Sequence, residues 1–111
     1  MGFSPDYRAK IEAILAEVVP IRTKAMFGGV GIYSDDLFFA LIAEDKLYFK
    51  VDETNRADYE AAEMGPFFPF DSPTPMGYWE VPINVQNTQD ELKVWVDKAL
   101  GVAARKAKKR K

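Results

Sequence analysis

The stretch over residues 26–52, MFGGVGIYSDDLFFALIAEDKLYFKVD, constrains the fold most, because two acidic pairs divide it into three short apolar runs. The pairs are Asp35-Asp36 and Glu44-Asp45, and acidic side chains favour chain reversal through hydrogen bonds to the neighbouring backbone. Each run is rich in aromatic and β-branched residues, which is typical of strands. The sequence therefore predicts an antiparallel meander around which the remaining elements pack.

Three helices are predicted outside the meander. Ser4 followed by Pro5 fits an N-cap with proline in the first turn, and an apolar stripe at three- and four-residue spacing follows. A short helix, capped by residue 54 or 55, is expected to end at about residue 64. Thr88 and Glu91 match a capping box, in which the two side chains satisfy reciprocal backbone donors, so a long helix is predicted to begin there.

Strand patterns also precede and follow the meander. Residues 21–27 predict a first strand, residues 67–70 a short edge strand or an aromatic plug, and residues 76–81 a last strand. We therefore predict an α+β domain of order α-β-β-β-β-α-β-β-α, with three helices packed on an antiparallel sheet of five to six strands. Residues 1–104 are expected to form this single domain and residues 105–111 a basic tail.

Alternation along the strands assigns residues to the two faces of the sheet. In the strand over residues 37–43, alternation places Phe38 and Ile42 on the outer face, which Tyr33 and Tyr48 are expected to join. These four residues are the predicted partner surface. An apolar patch of this kind needs covering by a helix or by a second subunit, so a homodimer is one expectation.

Charge is distributed unevenly along the chain. The net charge is −2, yet six of the fifteen basic residues lie in the tail, at Arg105, Lys106, Lys108, Lys109, Arg110 and Lys111. Residues 1–104 keep nine basic against seventeen acidic side chains, a formal −8. A polyanion is therefore attracted by the tail and repelled by the body, so the tail is the predicted nucleic-acid contact. A solvated helix end without a dedicated partner is the alternative.

The residue types argue against an enzyme. The chain has neither cysteine nor histidine, so thiolate metal sites and the commonest general base are excluded. The acidic pairs, which include Asp52-Glu53, consist of adjacent residues, and on a strand adjacent side chains point to opposite faces. We therefore predict no catalytic residue, no metal and no cofactor. No apolar run approaches the length of a membrane span and the N-terminus lacks a signal peptide, so a cytoplasmic location is expected.

Two further groups of residues have competing interpretations. Gly28, Gly29 and Gly31 could form a phosphate loop, but such a loop leads into a helix, whereas a strand pattern follows here, which favours a tight hairpin or a bulge. Five aromatic residues could stack on single-stranded nucleic acid, although the acidic body favours a place for them in the core. These residues are Phe67, Phe68, Phe70, Tyr78 and Trp79.

Several blocks of the sequence resemble the N-terminal domain of TfoX/Sxy-type competence regulators. The blocks are MFGGVGIY at residues 26–33, FALI at 39–42, LYFKVD at 47–52, PF at 66–67, MGYWEVP at 76–82 and the helix containing Glu91-Leu92 and Trp95. The motif residues that the resemblance identifies are Met26, Phe27, Gly28, Gly29, Gly31, Tyr33, Lys50, Val51, Asp52, Pro66, Phe67, Tyr78, Glu80 and Pro82.

The resemblance implies a fold similar to type III secretion chaperones, which tend to pair. It also implies regulation, since the two-domain regulators of the family act with the cyclic-AMP receptor protein at competence promoters, and this sequence looks like a stand-alone N-terminal domain. The expected function is a non-enzymatic regulatory or adaptor domain that binds a protein partner. The alternative is a small-molecule-binding or enzymatic domain with a cleft near residues 28–31 and 67–78.

Overall fold

The architecture is an antiparallel sheet with helices, seen in a computed structural model that describes residues 4–26, 29–67 and 77–109. The elements are α1 (Pro5–Ala16), β1 (Arg22–Met26), β2 (Gly29–Ser34), β3 (Leu37–Ala43), β4 (Lys46–Lys50), α2 (Arg56–Ala61), β5 (Tyr78–Glu80), α3 (Ile83–Gln86) and α4 (Gln89–Lys109). None of the helices in these ranges is long and apolar enough to cross a membrane.

The five strands lie in the sheet in chain order, each antiparallel to the next, so the predicted meander is confirmed. Both acidic pairs form two-residue hairpin turns with positive φ, at 50° and 67° for Asp35 and Asp36 and at 52° and 58° for Glu44 and Asp45. Such turns match the right-handed twist of the strands. The Asp36 carboxylate accepts a hydrogen bond from Arg22 and that of Asp45 accepts one from the Ser4 N–H, so both carboxylates also join distant segments.

A β-bulge in β3 changes the predicted assignment of faces. Ile32 pairs with Ala40 but Tyr33 pairs with Phe38, so Phe39 is an extra residue in β3. Because the extra residue interrupts the alternation, Phe38 and Ile42 lie on opposite faces. The prediction that Ile42 lies on the outer face was therefore wrong: its side chain is fully buried in the core.

The helices pack on one face of the sheet. Arg8 donates a hydrogen bond to the Thr23 hydroxyl, which in turn donates to Glu12, so α1 is joined to β1 on the face that also carries Ile32. Helix α4 packs against β3 and β4. The core between the layers contains Ile11, Leu15, Val30, Ile32, Phe39, Ala40, Ile42, Leu47, Phe49, Leu92, Val96 and Ala99, which are at most 1% exposed.

The α+β class is confirmed, but the observed order is α-β-β-β-β-α-β-α-α. In place of the sixth predicted strand, Pro66 forms a single bridge with Trp79, while residues 68–70 lie outside the described ranges. The short helix α3 was missed because four residues are too few to produce a helical period. The side chain of Gln86 donates to the carbonyl oxygen of Val81 and so attaches α3 to the end of β5.

The predicted starts of the first and the last helix are confirmed. The Ser4 hydroxyl accepts a hydrogen bond from the Tyr7 N–H at 3.1 Å, as an N-cap should. Helix α4 begins at Gln89, directly after Thr88. The Thr88 hydroxyl, however, donates to the carbonyl oxygen of Asn84, so it joins α4 to the preceding helix. Helix α4 continues past the predicted domain boundary at residue 104 and ends at Lys109.

Tyr59 provides a test of the packing between α2, the sheet and α4. It is 1% exposed and its ring lies 4.6 Å from that of Trp95, and the hydroxyl has no hydrogen-bond partner among the described residues. Burial, with a smaller effect of Asp58, raises the pKa of Tyr59 far above its usual value. Because Tyr59→Phe removes an unsatisfied buried hydroxyl, we expect it to increase the free energy of unfolding by about 1 kcal/mol.

Urea denaturation measures this effect, with Tyr33→Phe on the opposite face of the sheet as the control. A loss of stability in Tyr59→Phe would mean that the hydroxyl has a partner that we have not identified.

Candidate docking surface

The outer face of the sheet, which is turned away from α1, α2 and α4, differs in its charge from the rest of the domain. The strand registers place four basic side chains on it, at Arg22, Lys24, Lys46 and Lys50. Glu80 is the only acidic residue of the strands on this face. Among the described strand residues, four basic side chains thus share this face with one acidic side chain. The sheet is locally cationic although the body is strongly acidic.

A row of interacting cations and aromatic rings crosses this face at one end of the sheet. The Arg22 guanidinium lies 4.9 Å from the ring centroid of Tyr33, which stacks on Phe38 at 4.9 Å. The Phe38 ring is 5.6 Å from that of Tyr78, and the Lys50 ammonium lies 5.4 Å and 5.5 Å from these two rings. Each strand contributes one of the five residues, which we call the cation–aromatic row.

The four residues of the predicted partner surface have three different environments. Tyr33 and Phe38 are half-buried members of the cation–aromatic row. Tyr48 lies on the same face but is only 8% exposed, with the ring of Phe67 at 4.8 Å. Ile42 is a core residue and does not belong to the surface. Part of the predicted patch is therefore covered within the chain itself.

Of the later aromatic residues that the structure describes, Trp79 has the predicted place against the core, and Tyr78 is buried too, at 5% exposed, but on the outer face. Trp79 packs against the core, with its ring 6.2 Å from that of Tyr59. Tyr78 belongs to the row and Phe67 covers Tyr48, so both lie on the outer face instead. Phe68 and Phe70 lie outside the described residues.

Asp52 connects the end of β4 to helix α4. Its carboxylate accepts hydrogen bonds from the Thr54 N–H at 2.8 Å, from the Thr54 hydroxyl at 2.6 Å and from the Arg105 guanidinium at 3.2 Å. Partial burial raises the pKa of Asp52, but the bonds from Thr54 and Arg105 outweigh it and hold the pKa below its ordinary value. This carboxylate is thus an ionised structural anchor.

Asn55 closes the same loop from inside. It is 1% exposed, its Oδ1 accepts from the Asp52 N–H at 2.9 Å, and its Nδ2 donates to the carbonyl oxygen of Lys50 at 3.2 Å. The sequence suggests Asn55 as a helix cap, but its side chain bonds back to β4 rather than to α2. Because these bonds fix the backbone at Lys50, Asn55 positions one member of the cation–aromatic row.

The basic end of α4 lies near the same end of the sheet. Arg105, one of the six predicted nucleic-acid contacts, is bound to Asp52, which is two residues from Lys50. Two residues span about 7 Å at most, so α4 reaches the sheet close to the row. Lys106 is exposed, and the side chains of residues 107–111 lie outside the described part of the chain.

The described parts of the alternative cleft do not come together. Gly29 and Gly31 lie within β2, which excludes a loop leading into a helix, and β3 and β4 separate them from Tyr78. A cavity of about 200 Å³ lies elsewhere, lined by Ile14, Glu17, Gln86, Asn87, Gln89 and Leu92. This volume is below that of ordinary ligand pockets. Nor do acidic side chains converge in metal-binding groups anywhere in the described ranges.

Comparison with known protein families matches residues 13–103 to the TfoX N-terminal domain. The chain belongs to the TfoX N-terminal domain family. This match covers nearly the whole chain and confirms the resemblance of the sequence blocks. A search of curated proteins gives no significant match.

The motif residues of this TfoX N-terminal domain have positions in the sheet and its connections. Tyr33, Lys50 and Tyr78 belong to the cation–aromatic row, and Asp52 forms the junction with α4. Met26 pairs with Gly29, and Phe27 and Gly28 lie outside the described ranges. The Val51 N–H donates to the carbonyl oxygen of Gly77, and Pro66 bridges to Trp79. Glu80 pairs with Tyr48, and Pro82 precedes α3.

Proposed function

We propose that this TfoX N-terminal domain is a non-enzymatic regulatory or adaptor domain of the bacterial cytoplasm that binds a protein partner through the outer face of its sheet. The observation that carries the proposal is the cation–aromatic row. It spans all five strands on the face opposite the packed helices, and interface cores are enriched in aromatic residues and arginine. A link to transcription or competence regulation is part of the proposal and is supported by the family membership alone.

The environment of the acidic pairs supports a role other than catalysis. Asp35-Asp36 and Glu44-Asp45 form hairpin turns at opposite ends of β3, so the pairs cannot act on one substrate atom. Asp52 is held ionised by Thr54 and Arg105 in a structural role. A binding function makes use of the outer face without requiring a general acid or base.

A matched pair of variants tests the proposal by affinity capture from cells that naturally express the protein. Phe38→Ala removes the central ring of the row, whereas Val94→Ala removes a 51% exposed apolar side chain on α4. We expect the partner captured by the wild-type chain to be retained by Val94→Ala and lost from Phe38→Ala. Retention by both variants, with both folded by circular dichroism, would contradict the proposal.

The basic end of α4 provides a second contact, to nucleic acid, in this proposal. Because Arg105 is bound to Asp52, five of the six cations remain for phosphates. Five contacts give a log–log salt slope of about −4.5 on duplex DNA, at roughly −0.9 per contact. We expect a chain ending at Arg105, which keeps the bond to Asp52, to lose this affinity in a salt titration followed by fluorescence anisotropy. An unchanged slope after truncation would assign the binding to the folded body.

A further inference from the structure

We propose that the outer face of the sheet binds a short acidic segment of the partner, rich in aspartate and glutamate. The inference rests on the proposed function, because it names the chemistry of the partner at that same face. Three properties of the face lead to it: the sign of its charge, the way its rings are covered, and the acidic turns at both ends of β3.

The sign of the charge selects an anionic partner. Arg22, Lys24, Lys46 and Lys50 share the face with Glu80, within a body whose formal charge is −8. Complementary potentials steer partners to such a face and suppress partners of the same sign. A second copy of the chain would bring the same four cations against themselves, so the face disfavours the symmetric dimer that the sequence suggests.

The way the rings are covered favours carboxylates over nucleobases. The Arg22 guanidinium lies over Tyr33 and the Lys50 ammonium lies over both Phe38 and Tyr78. A base could stack on Tyr33 only after displacing the exposed Arg22 guanidinium, whereas a carboxylate can bind to that guanidinium where it is. Arginine pairs with carboxylates through two parallel hydrogen bonds, which gives this contact a defined geometry. The Tyr33 ring thus lies beside an exposed guanidinium that an acidic ligand can reach.

Arg22 already has an acidic partner within the chain. Its Nη2 lies 2.9 Å from Oδ1 of Asp36, whose side chain is 93% exposed. Exposed ion pairs of this kind are weak, so a carboxylate of the partner can replace Asp36. The intramolecular pair therefore indicates the position that the incoming carboxylate takes.

The acidic turns limit the length of the ligand. Asp35 and Asp36 lie at one end of β3, and Glu44 and Asp45 lie at the other. A long polyanion that ran along the strands would approach one or both pairs and be repelled. A short acidic segment fits between the turns, close to the cation–aromatic row. This arrangement favours a protein segment over a nucleic-acid strand.

Fluorescence anisotropy with a short fluorescein-labelled oligo-L-glutamate tests the inference, with a labelled oligo-dT as the nucleic-acid probe. Arg22→Glu/Lys24→Glu reverses two exposed charges of the outer face. Lys10→Glu/Lys93→Glu reverses two exposed charges on α1 and α4 and gives the same net charge. We expect the first variant to bind the oligo-L-glutamate about tenfold more weakly than the second, from the loss of two exposed charge pairs.

Equal weakening in the two variants, or no binding of the wild-type chain to the oligo-L-glutamate at low salt, would overturn the inference. If the wild-type chain binds oligo-dT more tightly than the acidic probe, and the Arg22→Glu/Lys24→Glu variant loses that binding, the inference is overturned in favour of nucleic acid. If light scattering shows a dimer that this variant strengthens, the face is assigned to a second copy of the chain. If capture of the partner depends on Phe38 but not on these charges, the adaptor function stands and the acidic ligand does not.

Discussion

Phe39→Ala is expected to lower the free energy of unfolding by about 3–5 kcal/mol, the usual cost of removing a fully buried phenylalanine ring. The Phe39 side chain is 0% exposed and its ring packs 5.8 Å from that of Phe49. Phe38→Ala should cost only about 1–2 kcal/mol, because the Phe38 ring is half-buried on the outer face and loses mainly its ring contacts. The two neighbouring residues are thus expected to differ by several kcal/mol.

Urea denaturation of the two single variants measures this difference directly. The comparison also tests the bulge, because Phe39 is the residue that the register shift inserts. Equal losses, or a larger loss for Phe38→Ala, would mean that Phe38 and not Phe39 faces the helices. The positions of Ile42 and of the whole cation–aromatic row would then need to be reassigned.

Asn55→Ala is the second substitution with a large expected effect. It leaves the Asp52 N–H and the Lys50 carbonyl oxygen without their partners in a site where Asn55 is 1% exposed. Each unsatisfied buried group costs about 1–3 kcal/mol, so we expect a loss of about 2–4 kcal/mol in total. The cost exceeds that of an ordinary cap because the side chain bonds to two backbone groups of β4 and its loop.

Asn87→Ala is the matched control, since Asn87 is exposed at the end of α3. It should change the free energy of unfolding by less than about 0.5 kcal/mol, as surface substitutions usually do. If Asn55→Ala were as mild as Asn87→Ala, water would have to replace both hydrogen bonds, and Asn55 would have no role in fixing the backbone at Lys50.

The parts of the fold that depend on local sequence could be predicted from it. The acidic pairs indicated both hairpin turns because aspartate, present in each pair, is common where the chain reverses, and Ser4 indicated the start of α1 because its hydroxyl caps the first turn. The family blocks agreed with the same fold. These features need only neighbouring residues to form.

The parts of the fold that depend on packing could not be predicted from the sequence. The bulge at Phe39 has no marker in the run LFFALIA, where either face is apolar enough to be buried, so alternation misplaced Ile42. The bond between Asp52 and Arg105 joins residues 53 positions apart, and the charge of each gives no sign of the other. Such contacts arise only when the helix packs on the sheet.

The candidate surface was partly accessible from the sequence. The formal charge of residues 1–104 is −8. This total does not show that Arg22 and Lys24 lie on the same face of the sheet as Lys46 and Lys50. An assignment of charged residues to strand faces would have found the cations. The contacts of Arg22 and Lys50 with the rings required the register of all five strands.

Photo-crosslinking in cells that naturally express the protein tests the central claim most directly. p-Benzoylphenylalanine is placed at Leu41, a half-buried outer-face residue that pairs with Gly31 and Tyr48, or at Val94, which is exposed on α4. We expect irradiation to produce a covalent adduct with the partner protein from position 41 and none from position 94. An adduct from position 94 alone, or none from position 41 while the partner is still captured, would contradict a docking function for the outer face of the sheet.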